Sequence, residues 1–282
     1  MNAQGIDDVI VRALAEDAPW GDITSETFLP VTATATAELV AREPGVLSGG
    51  AVLRRTFQLV DESTTVDVLV DDGGRFEAGT AIARIAGSAR SVLRGERIAL
   101  NLVQRMSGIA TLTSRYVAAI EGTNARVVDT RKTTPGLRAL ERHAVRSGGG
   151  HNHRFSLSDA VLAKDNHLAV LAAAGIPLGD AIRAARAGLG HTVHLEVEVD
   201  RLDQVDEVVS AGVDTIMLDN FSLDELRHGV ALVAGRALVE ASGNVTLDTI
   251  GEIARTGVDV ISVGALTHSV RALDLGLDVT VS

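Results

Sequence analysis

The chain has 282 residues, 46% hydrophobic and 22% charged, enough for one large domain or two smaller ones with a substantial core. It has no cysteine, which excludes disulfide scaffolds, thiolate metal sites and cysteine nucleophiles, and no apolar run reaches the roughly 18–20 residues that span a bilayer. A net charge of −11 argues against general binding to nucleic acid or anionic membrane, and the acidic N-terminal stretch lacks a basic-then-apolar signal pattern, so a cytoplasmic protein is expected.

Residues 6–17 read as a short amphipathic helix that ends near Pro19. Residues 33–46, 64–70 and 80–85 have β character, punctuated by Glu43-Pro44-Gly45 and Asp71-Asp72-Gly73-Gly74. Between the first two of these, residues 51–60 look helical. A long helical stretch runs from Ser91 to about Glu121, with a bend expected at Gly108. This half mixes helices with an antiparallel sheet.

After Gly122 the pattern changes. Short apolar strands at 126–129, 161–164, 193–199, 215–218, 237–240 and 259–263 alternate with helices at 135–146, 179–187, 202–211, 223–233 and 247–255. Ser222 and Glu225 form a capping box that opens one of these helices. Repeated β-α units imply parallel strands, in either a doubly wound sheet or a barrel. The strand ends favour a barrel. They carry Asp129-Thr130-Arg131-Lys132, Lys164-Asp165, Glu196 and Glu198, Asp219-Asn220, Glu240-Ala241-Ser242-Gly243 and Gly264. A ring of strands gathers such ends at one mouth, whereas a flat sheet spreads them apart.

The basic residues are uneven in kind and in place. Two are lysines, Lys132 and Lys164, and 24 are arginines, which marks the two lysines as positions where a planar fork would not serve. The window from Arg126 to His167 carries +4 while the rest of the chain carries −15, and it holds four of the eight histidines. A local anion site is expected there. For at least one of Arg138, Arg142 and Arg146 a solvated helix face is the plainer reading. Arg131 and Arg154 suit carboxylates, Lys132 and Lys164 suit phosphate, and His153 is adjacent. The carboxylates Glu196, Glu198, Asp219 and Glu240 suit Mg²⁺ or ribose hydroxyls. Ser242-Gly243 and Gly264-Ala265 follow late strands and offer backbone N–H groups to a phosphate. Glu196 and Glu198 alternate, so they share one strand face, and a structural salt-bridge layer with the lysines is the alternative reading. His143, His151 and His153 lack zinc-ligand spacing.

DTRKTTPGLR at 129–138, GGGHNHR at 148–154 and KDNH at 164–167 together resemble the quinolinate phosphoribosyltransferase family. The likeness continues through EVEVD at 196–200, LDN at 218–220, EASG at 240–243 and VGALTHS at 263–269. Ser156, Ala163 and Ser147 depart from the usual pattern without removing a charged group. The resemblance implies an N-terminal α/β sandwich domain over 1–107, an open, incomplete α/β barrel over 108–271, and a return of 272–282 to the first domain. It also implies a pentosyltransferase that moves a phosphoribosyl group from phosphoribosyl pyrophosphate to quinolinate, releasing CO₂ and pyrophosphate in NAD biosynthesis. In this family's terms, Arg131, Lys132, His153 and Arg154 line the quinolinate pocket. Arg97 is donated across a homodimer interface. Lys164, Glu196, Asp219, Ser242, Gly243, Gly264 and Ala265 hold phosphoribosyl pyrophosphate and its Mg²⁺, with Glu196 favoured over Glu198. Lys132, Lys164, Glu196 and Asp219 are the expected catalytic residues.

Overall fold

The computed structural model describes residues 3–281; Met1, Asn2 and Ser282, at the outer edges of the ranges 1–107 and 272–282, lie outside the described residues. The chain opens with α1 (Ala3–Asp17), α2 (Ile23–Phe28), β1 (Thr34–Ala41), β2 (Gly45–Val46), α3 (Gly50–Val60), β3 (Thr65–Val68), β4 (Arg75–Phe76) and β5 (Ala81–Ser88). The 31-residue α4 (Ala89–Ala119) leads to β6 (Arg126–Val128), α5 (Arg138–Ser147), β7 (Val161–Ala163), α6 (Asp165–Ala173) and α7 (Leu178–Gly188). Then come β8 (Leu195–Val199), a 3-10 turn at Leu202–Gln204, α8 (Val205–Ser210), β9 (Thr215–Asp219) and α9 (Leu223–Val233). The chain closes with β10 (Leu238–Ser242), α10 (Ile250–Ala254), β11 (Val260–Ser262), α11 (Ala265–His268) and β12 (Leu275–Val281).

Two compact units result. One holds the chain up to Ser114, Thr133–Gly149 and the chain from Leu266; the other holds Arg115–Lys132 and Gly150–Ala265. The division read between 107 and 108 falls inside α4, which runs through Gly108 unbroken. Gly108 serves a close approach, since a Cβ there would stand 2.2 Å from the Arg271 carbonyl oxygen.

In the first unit an antiparallel sheet runs β12-β1-β5-β3. Strand β1 alternates strictly, with Ala35, Ala37, Leu39 and Ala41 buried and the residues between them outward. Its inner face packs with Ile82 and Ile85 of β5, Phe57 of α3, and Val92, Leu100 and Val103 of α4. Full burial of each large side chain contributes roughly 1.5–3 kcal/mol. Strand β12 pairs with β1 from Ala35↔Val281 to Ala41↔Leu275 and covers that edge. Glu141 of α5 is 1% exposed and meets Arg105 at 2.7 Å, which keeps a buried carboxylate from standing unpaired.

In the second unit six parallel strands run β6-β11-β10-β9-β8-β7. Strands β7 to β11 are neighbours in chain order and β6 follows β11, so the winding never reverses. A doubly wound sheet changes direction midway; one that does not is the open, incomplete barrel expected from the strand ends. All five residues of β8 are buried, as a strand covered on both faces requires.

Local departures have local causes. Helix α5 starts at Arg138 rather than 135, because Gly136 sits at φ 82. Helix α2 is too short to show a period, and its start is fixed by Asp22, which accepts from Thr24 N at 3.1 Å and Ser25 N at 3.2 Å. Helix α6 escaped the periodicity because its apolar residues go all round, and none of them is buried.

The Asp71-Asp72-Gly73-Gly74 turn caps α3 from a distance. Asp72 Oδ1 accepts from Gly49 N at 3.0 Å and Gly50 N at 2.9 Å, and Oδ2 lies 2.6 Å from His143 Nε2. Burial pushes this carboxyl up, but the His143 ring and the two N–H groups outweigh it and hold it below the usual aspartate value. Its contribution is therefore present above the unfolded-state value and lost as pH falls through the lowered one. In urea at neutral pH, Asp72→Asn should cost about 1–3 kcal/mol. The difference from wild type should shrink below about pH 4; a gap that persists in acid would show that charge is not what Asp72 contributes.

Candidate active site

Every barrel strand delivers its C-terminal end to one cavity of about 460 Å³. Thr130, Arg131 and Lys132 follow β6, and Leu162 and Lys164 come from β7. Asp219, Ser242 and Ser262 end β9, β10 and β11, with Glu198, Met217 and Glu240 one layer lower and His153 and Arg154 alongside. An adjoining space of about 550 Å³ beneath α6 shares Glu198 and Asp219 as its wall. The two spaces give a cationic side and a carboxylate side meeting at two acids.

The cationic side is built around one buried aspartate. Asp129 is fully buried; Oδ1 accepts from His153 N at 2.8 Å and Oδ2 from Asn152 Nδ2 at 2.6 Å. This fixes the His153-Arg154 pair beside the end of β6. Arg154 donates to the Ala160 carbonyl at 2.8 Å, and its acidity is raised by burial and then by the nearby Arg131. Arg131 Nε is buried and makes no hydrogen bond within the protein. Two arginines that repel each other, one with a buried unbonded donor, have the chemistry to take a pair of carboxylates.

His153 stands over two carboxylates. Its Nε2 lies 3.2 Å from Glu196 Oε2 and 3.5 Å from Glu240 Oε2, and both acids are 3% exposed. Burial disfavours the imidazolium, but the two carboxylates reverse this and push the ring up to about 10. Burial, and then Glu240, also push the Glu196 carboxyl up against the pull of His153. Arg154 N donates to His153 Nδ1 at 2.8 Å, a contact that opposes the imidazolium the acids favour, because it needs Nδ1 bare; the geometry fixes the neutral ring with its proton on Nε2, facing the acids. The three groups have the composition of a cation site, but a metal on Nε2 would need that proton's place; they form a hydrogen-bonded cluster instead.

Lys164 caps the start of α6 and pairs with Glu198 Oε2. At the ends of β9 and β10 three left-handed residues are stitched together, Asn220 at φ 59, Gly243 at φ 96 and Asn244 at φ 49. Asn220 N donates to the Ser242 carbonyl at 2.9 Å, and Asn244 Nδ2 to Asn220 Oδ1 at 3.0 Å.

The cavity therefore collects Arg131, Lys132, His153, Arg154, Lys164, Asp219 and Ser242 from the residues picked out in the sequence. Gly243, and Gly264 with Ala265, lie in the turns after β10 and β11. Glu196 is not in the cavity wall; it lies deeper, beneath His153, and Glu198 stands at the mouth beside Lys164. Glu198 could have been preferred from the sequence by being two residues nearer the strand end. Asp129 gave no signal beyond its place in a motif. Arg97 is exposed on α4 in the first unit.

Comparison with known proteins covers the chain almost end to end. Residues 22–107 match the family described as quinolinate phosphoribosyl transferase, N-terminal domain, and residues 109–278 match its C-terminal domain. The nicotinate-nucleotide pyrophosphorylase [carboxylating] of Mycobacterium leprae is 45% identical over 280 residues, 96% of each chain. The crystal structure of NadC from Streptococcus pyogenes superposes with a TM-score of 0.94 at 42% identity, covering 100% of this chain and 99% of that one. The nicotinate-nucleotide pyrophosphorylase of Francisella tularensis gives 0.92 at 36% identity, covering 99% and 98%.

The stitched turn allows a direct check. A Cβ on residue 243 would lie 2.2 Å from Asn220 Oδ1 and 2.9 Å from Asn220 N, at a φ that favours glycine. Gly243→Ala should lower stability by about 1–3 kcal/mol in urea unfolding. An unchanged midpoint would mean that the turn relaxes freely and does not hold the two strand ends.

Proposed function

The chain belongs to the quinolinate phosphoribosyltransferase family, and from that premise we propose how its site divides between two substrates. The enzyme transfers the phosphoribosyl group of phosphoribosyl pyrophosphate to quinolinate, giving nicotinate mononucleotide, CO₂ and pyrophosphate in NAD biosynthesis. The observation that carries our division is the paired arginines Arg131 and Arg154, one with a buried free donor, facing a wall of carboxylates across one cavity.

Quinolinate is placed on the cationic side. Its two carboxylates meet Arg131 and Arg154, with Lys132 beside them and Arg97 supplied by a second copy. Phosphoribosyl pyrophosphate is placed at the strand ends. Lys164 turns from Glu198 to its phosphates, and the N–H groups around Ser242-Gly243 and Gly264-Ala265 cradle them. Asp219 and Glu198 are hard oxygen donors at the mouth, and they would hold Mg²⁺, which supplies neutralisation of the pyrophosphate charge. Glu196, beneath His153, has no part in that contact on this reading.

The ring nitrogen needs no general base, because its lone pair is free. That pair forms the bond to the anomeric carbon while the pair of the breaking C–O bond leaves with pyrophosphate. Asp219 and Glu198 face the ribosyl carbon as it becomes cationic. The resulting pyridinium then accepts the electron pair of the breaking C–C bond as CO₂ departs, and the ring carbon takes a proton from solvent. Holding both reactants in one cavity supplies much of the acceleration.

A cytoplasmic homodimer completes the proposal. Helix α6 is apolar with no buried residue, and the first unit exposes Ile23, Phe28, Val31 and the single tryptophan, Trp20, which is 92% exposed. Such faces are expected to be covered. Light scattering should give twice the chain mass, and Trp20 emission should lie to the blue of free indole. A monomer at micromolar concentration with fully red emission would reject the dimer and Arg97's role.

The substrate assignment is tested by product release. With quinolinate, phosphoribosyl pyrophosphate and Mg²⁺, CO₂ and pyrophosphate should appear in equal amounts, and neither should appear with nicotinate. Arg131→Ala should weaken quinolinate by about 1.5–3 kcal/mol in calorimetry and leave the donor nearly unchanged. Equal weakening of both substrates would misplace the pocket.

A further inference from the structure

Two buried carboxylates are left unused by that division, Glu240 of β10 and Glu196 of β8. We propose that Glu240 is a further catalytic residue, with Glu196 as its support: through His153 they form a negative floor beneath the acceptor ring that stabilises the positive charge the ring acquires. The inference rests on the quinolinate reading of the cationic side.

Geometry carries it. Glu240 lines the same cavity as Arg131 and Arg154, whereas Glu196 does not. Both acids turn one oxygen to His153 Nε2, at 3.5 Å and 3.2 Å, and each keeps a second oxygen that is buried without a hydrogen bond. With Nδ1 accepting from the Arg154 N–H, the ring keeps one proton, on Nε2, and is neutral, so it does not cancel the negative charge of the acids it bridges. Asp129 accepts the backbone N–H of His153, and the Arg154 N–H donates to Nδ1 on the side of the ring away from the acids. The result is a preorganised charge on two acids that are each 3% exposed.

Chemistry gives that charge a use. Before reaction the acceptor ring is neutral and its negative charge lies on the carboxylates, which the arginines hold. As the nitrogen lone pair bonds to the anomeric carbon and pyrophosphate leaves with its electron pair, the ring becomes a pyridinium. A negative floor therefore interacts more strongly with the transition state and product than with the bound acceptor, which is the condition for raising kcat.

Glu240→Gln keeps the shape and an oxygen for His153 but removes the charge. In the full-length enzyme it should lower kcat about tenfold to a hundredfold. Affinity for nicotinate mononucleotide, whose ring is a pyridinium, should fall by a similar factor in calorimetry, with quinolinate affinity barely changed. Glu240→Asp, which restores the charge, should recover most of the loss, and Glu196→Gln should act in the same direction but less. Unchanged kcat, or equal weakening of quinolinate and product, would overturn the proposal, since a merely loosened His153 would harm both ligands alike. Wild-type turnover runs beside these variants: its absence would count against the substrate assignment, and a normal Glu240→Gln beside an active wild type counts against Glu240 alone.

Discussion

The contact of His153 with Glu196 and Glu240 is the constraint around which the catalytic unit is arranged. Placing two carboxylates inside a barrel costs several kcal/mol each unless something pairs with them. A single imidazole does so here, and for that it must be held from every side. Asp129 takes its backbone N–H, the next residue's N–H takes its Nδ1, and the acids take Nε2. Arg154 follows directly in the chain, so the same set of bonds that anchors the histidine also places the guanidinium beside Arg131. Buried acid and cationic pocket are one construction.

The winding of the sheet makes that construction possible. Because the six strands never reverse their order, the ends of β6 through β11 converge, and residues from all six of them share one cavity with His153 and Arg154. Each strand contributes one or two polar residues to a wall that is otherwise part of a packed barrel. The left-handed turn joining Asn220, Gly243 and Asn244 ties two of those ends to each other, so the carboxylate side is as firmly placed as the cationic side. Lys164 stands between them, paired with Glu198.

The first unit is stabilised by a different device. Its sheet has an alternating core, but its helix α3 begins at a glycine with no side chain to cap it. The cap comes from Asp72, and His143 of α5 binds the same carboxylate. One side chain thus joins a turn, a helix start and a second helix from another part of the sequence.

Much of this was legible in the chain itself. Alternating β-α units, the capping box at Ser222, the clustered cations and the polar strand ends are local patterns, and local geometry follows from periodicity and turn chemistry alone. The paired spacing of Glu196 and Glu198 placed both on one face. Period two sets the side of a strand and not its height, so nearness to the strand end was the one cue that favoured Glu198 over Glu196 at the mouth. Height follows from the stagger between strands, which put Glu198 level with Met217 of β9 and left Glu196 beneath, against His153. Helix α6, apolar all round, offered no period to read. The pairing of β12 with β1 and the remote cap from Asp72 join residues that are distant in the chain. Sequence determined which chemistry the strand ends carry; the closing of the strands into a barrel decided which of those groups meet.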